Sequence, residues 1–420
     1  MTSDNLFIPR LSAKLLPAGK NKDRFSHDPE TEQKANYHLI DSTNNKVWGY
    51  VTIDNTERGP GLGGIRMAPK VNNNEVKRLA RAMPLKNSAA CLPYGGGKAG
   101  LIIDDPSLII NKEFKKSLME DFAEVLFELG NYIPAPDMGT DENDIQIIHE
   151  NHSEKSGTQV HDRGGSGRPI EFGGIPIDEW ELTAHGLFAT LQTLENILDD
   201  FKLNNSKIVI QGFGNVGCPT AVKLAQKGAV ITGASDINCA LWEPKGLDLD
   251  ELCKVRKLSG GLSNYSKKVE KEFGPKNLDW LLEAPCDVLV PAARPDAITA
   301  KNIDRIDCRM VLQGANTPSS KPVEYYLKHR KNILSLSDFI VNSGGVIGCA
   351  VERKMTQDKT YAKITKEKNT RTYTENLISN TISKNIKEVF SRMNDSKDYI
   401  FRDAAMDLAM ERLKTKEVWL

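Results

Sequence analysis

The chain has 420 residues, of which 39% are hydrophobic and 27% are charged, and 56 Lys and Arg balance 56 Asp and Glu. This length exceeds one ordinary hydrophobic core and predicts two or three domains. A formal net charge of zero gives no overall attraction to nucleic acid or to an anionic membrane, so neither is expected as a partner.

The cysteines and the apolar segments indicate a compartment. The seven cysteines are odd in number and form no C-x-x-C pair, which favours reduced thiols in a cytosol over a disulfide framework or a metal site. The first residues, MTSDNLFIPRLSAK, lack the apolar core of a signal peptide, and no run of 18 apolar residues is present. We therefore expect a soluble, cytoplasmic protein without a bound metal.

The first half of the chain mixes predicted strands and helices with glycine-rich stretches. Residues 47–57 alternate like a strand with one solvated face, and the glycines at 59–64 indicate a tight, irregular passage. The apolar residues in 74–90 recur at helical spacing. The glycines at 95–97 then lead into an apolar strand at 99–104.

A boundary between two domains is expected near the middle of the chain. An amphipathic helix at 117–130 ends at Gly130. Residues 151–175 are rich in Gly, Ser and other polar residues, which predicts a loop between domains. Another helix is expected from about 178 to 198.

From residue 207 onward, short β-branched strands alternate with helices. The strand KIVI precedes a helix that ends at Gly228, and the strand AVITGASD follows it. Further apolar strands are expected near residues 288, 312 and 335. This alternation predicts a parallel, doubly wound sheet. The last 65 residues predict charged helices with a solvated face.

Residues 212–217, Gly-Phe-Gly-Asn-Val-Gly, match the dinucleotide-binding pattern G-x-G-x-x-G between a predicted strand and a predicted helix. Gly212 permits the tight turn, Gly214 lets a pyrophosphate approach the backbone, and Gly217 lets the helix pack on the strand. The helix N-terminus favours phosphate groups. Asp236 ends the next strand, where a carboxylate binds the adenosine ribose and repels a 2′-phosphate, so NAD is favoured over NADP.

Two lysines and one aspartate in the first half are candidates for chemistry. Lys86 lies at the end of a predicted helix, and Lys98 follows three glycines that leave backbone open to a substrate. Two ammonium groups buried in one cleft lower each other's pKa, so one lysine can act as a base while the other holds a carboxylate. Asp137 lies in a proline-rich loop and can exchange protons with an amine.

Several motifs in this chain resemble the glutamate/leucine/phenylalanine/valine dehydrogenase family. They are GPGLGGIRMAP, MPLKNSAACLPYGGGKAGLIID, YIPAPDMGTDE, ELTAHG, QGFGNVG, VPAARPDAIT, LQGANTP and FIVNSGGVIG, and they follow the family's order from about residue 45 to 352. The resemblance implies a reversible, NAD-dependent oxidative deamination of an L-amino acid to a 2-oxo acid and ammonia. It also implies a homo-oligomer.

The same resemblance implies an α/β fold with two domains about a deep cleft. The N-terminal α/β domain, for substrate and oligomerisation, is expected at 1–178 and takes back the C-terminal helices at about 353–420. The Rossmann-type, doubly wound domain that binds NAD is expected at 179–352.

The resemblance also assigns roles to single residues. Lys98 would activate a water, Asp137 would move protons to and from the amino group, and Lys86 would hold the α-carboxylate. The positions around the rest of the substrate would be Leu62, Gly63, Gly64, Val346 and Cys349. The positions around the cofactor would be Thr183, Gly212, Gly214, Asn215, Val216, Gly217, Asp236, Ala292, Ala293, Asn316 and Asn342. The cleft beside Asn342 would be lined by Gly344 and Gly345.

Three of these positions bear on which amino acid is bound. Glutamate enzymes of the family carry a lysine where this chain has Leu62, a glutamine in place of Met83 and a serine in place of Cys349. A buried side-chain carboxylate without a cation is costly, so an apolar substrate such as leucine or valine is expected. Other motifs resemble the glutamate branch, and Arg66 is near enough in sequence to reach the pocket, so glutamate dehydrogenase is the alternative.

Two other classes of protein remain open at this point. The first is an NAD-binding regulatory or structural relative without turnover. The joint presence of Lys86, Lys98 and Asp137 argues against it. The second is another Rossmann oxidoreductase, such as a hydroxy-acid dehydrogenase. Such enzymes lack GGGK followed by PDMGTDE ahead of the dinucleotide turn.

Overall fold

The computed structural model describes residues 9–16, 33–158, 164–394, 398–415 and 417–420. The expectation for the first eight residues therefore lies outside the described part. The elements before residue 164 are β1 Leu11–Leu15, β2 Ala35–Asp41, β3 Val47–Asn55, β4 Gly61–Ala68, α1 Asn73–Ala89, β5 Gly95–Ile102, α2 Pro106–Ile109, α3 Lys112–Leu129, β6 Tyr132–Pro136 and α4 Glu142–Ser156.

The strands β1 to β6 form one sheet in the order β1-β2-β3-β5-β4-β6. The pairs β1–β2, β2–β3 and β3–β5 are antiparallel, whereas β4 pairs in parallel with both β5 and β6. The prediction of a tight, irregular glycine passage at 59–64 is confirmed at Gly59, which lies in a bend with a φ of 135°, and is wrong from Gly61 onward, since residues 61–68 form the strand β4. Its glycines are needed for close packing, because a Cβ at Gly63 would lie 1.9 Å from the carbonyl oxygen of Gly97.

Helix α1 packs directly on the glycines of β5. Asn72 caps the helix by accepting a hydrogen bond from the N–H of Glu75. A Cβ at Gly96 would lie 2.0 Å from Cδ of Pro84, so only glycine permits this contact. The predicted helix at 74–90 is confirmed, with Lys86 in its last turn.

The predicted loop at 151–175 is partly wrong. Helix α4 continues to Ser156, and residues 159–163 lie outside the described part. From residue 164 the chain is irregular, with a short 3-10 helix at Ile170–Phe172. The buried carboxylate of Glu352 accepts hydrogen bonds from the N–H groups of Gly167 and Ile175 and pairs with Arg168 at 2.7 Å, which fixes this segment.

The second half begins with a helix and contains a second sheet. Its elements up to residue 341 are α5 Leu182–Ile197, β7 Lys207–Gln211, α6 Gly217–Ala225, β8 Val230–Ser235, β9 Ala240–Trp242, α7 Leu249–Val255, β10 Lys271–Phe273, β11 Cys286–Pro291, β12 Cys308–Leu312, α8 Lys321–Lys331, β13 Leu334–Leu336 and α9 Asp338–Val341. Three further 3-10 helices are Gly261–Asn264, Pro275–Glu283 and Ile303–Arg305.

This sheet has the order β10-β9-β8-β7-β11-β12-β13. Five neighbouring strands of this sheet, β8, β7, β11, β12 and β13, are parallel, as predicted. Helices pack on the sheet faces. The edge strand β10 pairs antiparallel with β9, which pairs antiparallel with β8. Neither β9 nor β10 was predicted, because three residues are too few to show a period.

The remaining helices are α10 Gly344–Gln357, α11 Lys359–Glu367, α12 Thr370–Asn394 and α13 Phe401–Thr415. Helix α12 packs on α5, and α13 packs on α1. The carbonyl of Ala89 at the end of α1 accepts hydrogen bonds from Asn385 at 2.9 Å and from Arg412. The domain limits near residues 178 and 352 remain a prediction. No helix among the described residues is long and apolar enough to cross a membrane.

Candidate active site in the cleft between the sheets

A cavity of about 540 Å³ lies between the two sheets and is lined by elements of both. It gathers most of the residues singled out from the sequence. These are Leu62, Gly63, Gly64, Lys86, Lys98, Asp137, Thr183, Gly214, Asn215, Val216, Ala292, Ala293, Asn316, Asn342, Gly345, Val346 and Cys349. Residues that are up to 287 positions apart in the chain, such as Leu62 and Cys349, therefore meet in one cleft.

Lys98 and Asp137 form a buried ion pair at the centre of this cleft. Lys98 lies on β5 and is 3% exposed, and Asp137 follows β6 directly. The ammonium of Lys98 contacts Oδ2 of Asp137, and Arg66 lies 3.6 Å from Oδ1. The N–H of Met138 also donates to Oδ1 at 2.7 Å. The carboxylate is therefore fixed in place between two cations and a backbone donor.

The surroundings shift the pKa of both partners. Burial lowers the pKa of Lys98, and Arg66 lowers it further, while the ion pair with Asp137 raises it; the net direction is downward. Burial raises the pKa of Asp137, but Lys98 and Arg66 overcome this and hold that pKa below its usual range. Asp137 is therefore ionised at neutral pH, and Lys98 loses its proton more readily than an exposed lysine, which makes its neutral, base-competent form more accessible.

Lys86 on α1 reaches across the cleft to the second half of the chain. Its ammonium donates a hydrogen bond of 2.9 Å to Oδ1 of Asn316, which also accepts one of 3.3 Å from Asn342. Burial lowers the pKa of Lys86 to about 8, and nearby Lys98 lowers it too, whereas Asp338 raises it. Lys86 is therefore mostly charged at pH 7 and can hold a carboxylate.

Part of the cavity wall is apolar. Leu62 and Met83 line it from the first half, and Val346 and Cys349 line it from helix α10. Ser166 donates a hydrogen bond of 2.8 Å to the carbonyl of Cys349 and so fixes this part of α10. The four cations among the described residues that line the cavity are Arg66, Lys86, Lys98 and Arg294.

Besides Lys98, which pairs with Asp137, the cations Arg66 and Arg294 are also held by carboxylates. Arg66 pairs with Glu75 as well as with Asp137. Arg294 makes two contacts of 2.9 and 2.8 Å with Asp279. Arg66 is therefore disfavoured as the cation for a substrate side-chain carboxylate, because it already pairs with two acidic residues.

The glycine turn after β7 is shaped for a dinucleotide. A Cβ at Gly217 would lie 2.0 Å from the carbonyl oxygen of Gly212, so the helix α6 can start there only with glycine. A Cβ at Gly214 would meet nothing within 4 Å, so the backbone faces open space. The N–H groups of Gly214, Asn215 and Val216 donate to no backbone carbonyl of the described residues. These residues fit a pyrophosphate at the helix N-terminus.

Asp236 follows β8 and is already engaged by the backbone. Its Oδ1 accepts hydrogen bonds from the N–H groups of Asn238 and Cys239 at 2.8 and 2.9 Å. Its Oδ2 accepts one of 2.7 Å from Leu262. Four lone-pair positions on a carboxylate leave one for a ribose hydroxyl. The role of Asp236 in cofactor binding therefore remains a prediction.

Four predicted residues do not line the cavity. Gly212, Gly217 and Asp236 are not among the lining residues; Gly212 packs against Ala293, and Gly217 packs against Gly212. The expectation that Gly344 lines the cleft is wrong, since a Cβ there would lie 1.9 Å from the carbonyl oxygen of Leu182. Gly344 faces helix α5 and allows α10 to pack closely on it.

The sequence interpretation missed two features at the edge of the cleft. Arg78 on α1 makes two hydrogen bonds of 2.9 Å to the carboxylate of Asp296, which follows β11. Asp178 lines the cavity and accepts a hydrogen bond of 3.1 Å from Asn215. No local pattern marks these residues, because each partner comes from a distant segment.

Comparison with known protein families agrees with this arrangement. The model described as "Glutamate/Leucine/Phenylalanine/Valine dehydrogenase" matches residues 173–418, and the one described as "Glu/Leu/Phe/Val dehydrogenase, dimerisation domain" matches residues 29–154.

The chain belongs to the glutamate/leucine/phenylalanine/valine dehydrogenase family.

Curated relatives of this dehydrogenase cover most of its length. A glutamate dehydrogenase of Aeropyrum pernix is 32% identical over 378 residues, which are 89% of this chain and 87% of the relative. An NADP-specific glutamate dehydrogenase of Saccharolobus shibatae is 33% identical and covers 72% of this chain and 70% of the relative. A catabolic NAD-specific glutamate dehydrogenase of Bacillus subtilis is 34% identical, with 73% and 70% covered.

The fold of this dehydrogenase also matches solved structures. The hetero-hexameric glutamate dehydrogenase of Thermus thermophilus has a TM-score of 0.75 at 22% identity, over 97% of this chain and 88% of that one. The predicted family and two-domain α/β fold are confirmed, and so is an amino acid dehydrogenase that acts on CH–NH2 with NAD or NADP. The expected apolar substrate finds no support among these relatives, each named a glutamate dehydrogenase.

Proposed function

We propose that the protein catalyses the reversible oxidative deamination of an L-amino acid, with Lys98 and Asp137 as the proton-transferring pair. The single observation that carries this proposal is their buried contact in a cavity that Lys86 and the dinucleotide turn also line. A protein that only bound a dinucleotide would not require two buried lysines and a carboxylate in one cavity, each at a cost in desolvation.

Lys86 binds the α-carboxylate of the substrate, because it is a buried and largely charged ammonium at pH 7. Closure of the cleft over the substrate excludes water and fixes Cα in one position. Asp137 accepts a proton from the substrate ammonium, whose positive charge then no longer opposes oxidation of Cα. NAD or NADP, when bound, supplies the acceptor for the hydride that leaves Cα.

The carbon–nitrogen bond of the resulting iminium is then hydrolysed. A positive charge beside Lys98 lowers the pKa of its ammonium further, so Lys98 releases its proton to bulk water. The neutral Lys98 removes a proton from a water that attacks the iminium carbon. Asp137 returns its proton to the nitrogen of the carbinolamine and then accepts the hydroxyl proton as the carbon–nitrogen bond breaks to give the 2-oxo acid. That proton leaves with the ammonia as ammonium.

The residues at the glycine turn would hold the cofactor. Gly214, Asn215 and Val216 would donate to the pyrophosphate, because their N–H groups bond to no backbone carbonyl in the described part of the chain. In the same half of the chain, the residues next to the nicotinamide would be Thr183, Ala292, Ala293, Asn316 and Asn342. NAD is proposed as the preferred cofactor because the carboxylate of Asp236 would repel a 2′-phosphate.

Replacement of Asp236 tests this preference. The variant Asp236→Ala should bind NADH more weakly and discriminate less against NADPH, because the repelling charge is gone. A preference that stays unaltered, in a variant whose melting temperature shows an intact fold, means that Asp236 does not face the ribose.

Glutamate is the first candidate for the amino acid. The curated relatives that cover 72–89% of this chain carry that name, and they belong to the same family. A leucine-like or valine-like amino acid is the second candidate. It is favoured by the wall of Leu62, Met83, Val346 and Cys349, which presents no cation to a side-chain carboxylate.

A spectrophotometric scan of NAD and NADP reduction across the common L-amino acids tests the proposed function. Turnover of one amino acid class supports it, and kcat/KM for glutamate, leucine, valine and phenylalanine then ranks the two candidates. A protein that binds NADH but reduces neither NAD nor NADP with any L-amino acid contradicts the proposal.

We also propose a homo-oligomer in the cytoplasm. The support for assembly is that the family model matching residues 29–154 is described as a dimerisation domain. Light scattering on the purified protein measures the mass in solution, and a monomer of 46.6 kDa contradicts the proposed assembly.

A further inference from the structure

We propose that Arg256 binds a phosphate of the dinucleotide cofactor and is a cofactor-binding residue in its own right. This inference rests on the proposed function for its cofactor and extends it to a residue outside the glycine motif. Arg256 directly follows helix α7, 20 residues after Asp236 in the chain.

The guanidinium of Arg256 lies against the middle glycine of the turn. Its Nη1 donates a hydrogen bond of 3.0 Å to the carbonyl oxygen of Gly214. The same carbonyl accepts the N–H of Cys218 at 3.2 Å, the first bond of helix α6. Arg256 is also close enough to the thiol of Cys218 to lower its pKa, although burial dominates and raises that pKa. The positive charge therefore lies at the N-terminus of α6.

The space beside this charge is open and suited to an anion. Nothing lies within 4 Å of the position that a Cβ would take at Gly214. The N–H groups of Gly214, Asn215 and Val216 make no backbone hydrogen bond to the described residues. Free N–H groups, a helix N-terminus and a guanidinium together form a site for a phosphate rather than for a neutral group.

The two arginines that line the cavity, Arg66 and Arg294, are each held by carboxylates. Arg66 pairs with Glu75 and Asp137, and Arg294 pairs with Asp279. The ion pairs found among the described residues include none with Arg256, and its Nε has no hydrogen-bond partner there. A charged hydrogen bond from Arg256 to a phosphate thus requires no existing ion pair to break.

A dinucleotide offers two kinds of phosphate, the pyrophosphate of NAD and NADP and the 2′-phosphate of NADP alone. The contact with Gly214 places Arg256 at the pyrophosphate. The adenosine ribose, which carries the 2′-phosphate of NADP, is instead expected beside Asp236, whose carboxylate accepts a hydrogen bond from the N–H of Leu262. We therefore expect both cofactors to depend on Arg256.

Binding of NADH and NADPH, followed by protein fluorescence in the absence of any amino acid, tests the inference. The variant Arg256→Gln should weaken binding of both roughly ten- to hundredfold, as expected for a lost charged hydrogen bond. Arg256→Lys should recover part of the loss. The control Lys257→Gln removes the same charge from the exposed neighbouring residue and should leave both affinities unchanged.

The dependence on salt separates a phosphate contact from support of the turn. Wild-type affinity should fall as ionic strength rises, and Arg256→Gln should show a shallower fall, because a screened charge has been removed. A selective loss of NADPH also supports phosphate binding and assigns it to the 2′-phosphate. Unchanged affinities for both cofactors overturn the inference, and so does a loss with an unaltered salt dependence. Neither result bears on the proposed oxidation of an L-amino acid, which the scan of amino acids tests separately.

Discussion

The ammonium nitrogen of Lys98 lies 3.0 Å from the position that a Cβ would take at Gly64. The same Cβ would lie 2.8 Å from Cβ of Asp137 and 3.0 Å from the carbonyl oxygen of Pro136. The ion pair of Lys98 and Asp137 therefore occupies space that any side chain at residue 64 would enter. Gly64 permits the proton-transferring pair to form next to the substrate.

The variant Gly64→Ala should lose activity because its methyl group displaces Lys98 or Asp137. A displacement of about 1 Å at reacting groups costs about a hundredfold in kcat. Affinity for NADH should change little, since Gly64 lies on the sheet opposite the dinucleotide turn. The measurement is kcat together with the dissociation constant of NADH. Activity within threefold of wild type means that the pair does not need this space.

Deprotonation of Lys86 should limit binding at alkaline pH. Its pKa is lowered to about 8, so its ammonium is charged below that pH and neutral above it. The inhibition constant of a saturated carboxylic acid without an amino group, such as glutarate or 4-methylpentanoate, should rise about tenfold per pH unit well above this pKa. The absence of an amine in the inhibitor keeps its own titration out of the measurement.

The variant Lys86→Arg is the matched control, because a guanidinium stays charged throughout this range. Its inhibition constant should show no rise between pH 7 and 10. A wild-type profile that is flat over the same range shows that Lys86 does not supply the charge that holds the carboxylate.

The ion pair of Arg78 and Asp296 joins the two halves of the chain beside the cleft. We expect it to favour the closed form, so Arg78→Ala and Asp296→Asn should each raise KM about two- to fivefold, the range for a partly exposed pair. Asparagine suits residue 296 because its φ of 51° is in the left-handed region. The double variant should resemble either single variant. Multiplied effects would show that the two residues act independently.

An ammonium introduced at residue 62 should change the ranking of substrates. Leu62→Lys places a cation on the apolar wall next to Met83, Val346 and Cys349. The ratio of kcat/KM for glutamate to that for leucine should rise about tenfold or more, because a buried carboxylate gains a partner. Leu62→Met is the control, as it changes shape without charge. An unchanged ratio shows that glutamate is already held by a cation elsewhere.

The parts of the site that depend on short stretches of chain could be predicted from the sequence. The dinucleotide turn at 212–217 needs only a strand, three glycines and a helix within about 20 residues, and all of them lie where expected. Lys98 and Asp137 could be selected by their glycine and proline surroundings. Their roles came from the family resemblance, because spacing alone does not show that β5 and β6 bring them into contact.

The parts that depend on packing between distant segments could not be predicted. The glycines of β4 read as an irregular passage, since glycine weakens strands, yet contact with β5 and α1 requires them there. The bond between Lys86 and Asn316 spans 230 residues and depends on how the two sheets face each other. The engagement of Asp236 by Leu262 depends on a turn that has no sequence signature.

Removal of Lys98 tests the central claim, that the buried pair of Lys98 and Asp137 performs proton transfer in amino acid oxidation. Lys98→Ala should retain less than about 1% of the wild-type kcat with the preferred L-amino acid, as expected for loss of a general base. Its affinity for NADH should stay close to that of wild type, and the exposed control Lys116→Ala should be fully active. A Lys98→Ala protein that keeps more than a few per cent of the wild-type rate would contradict the assignment.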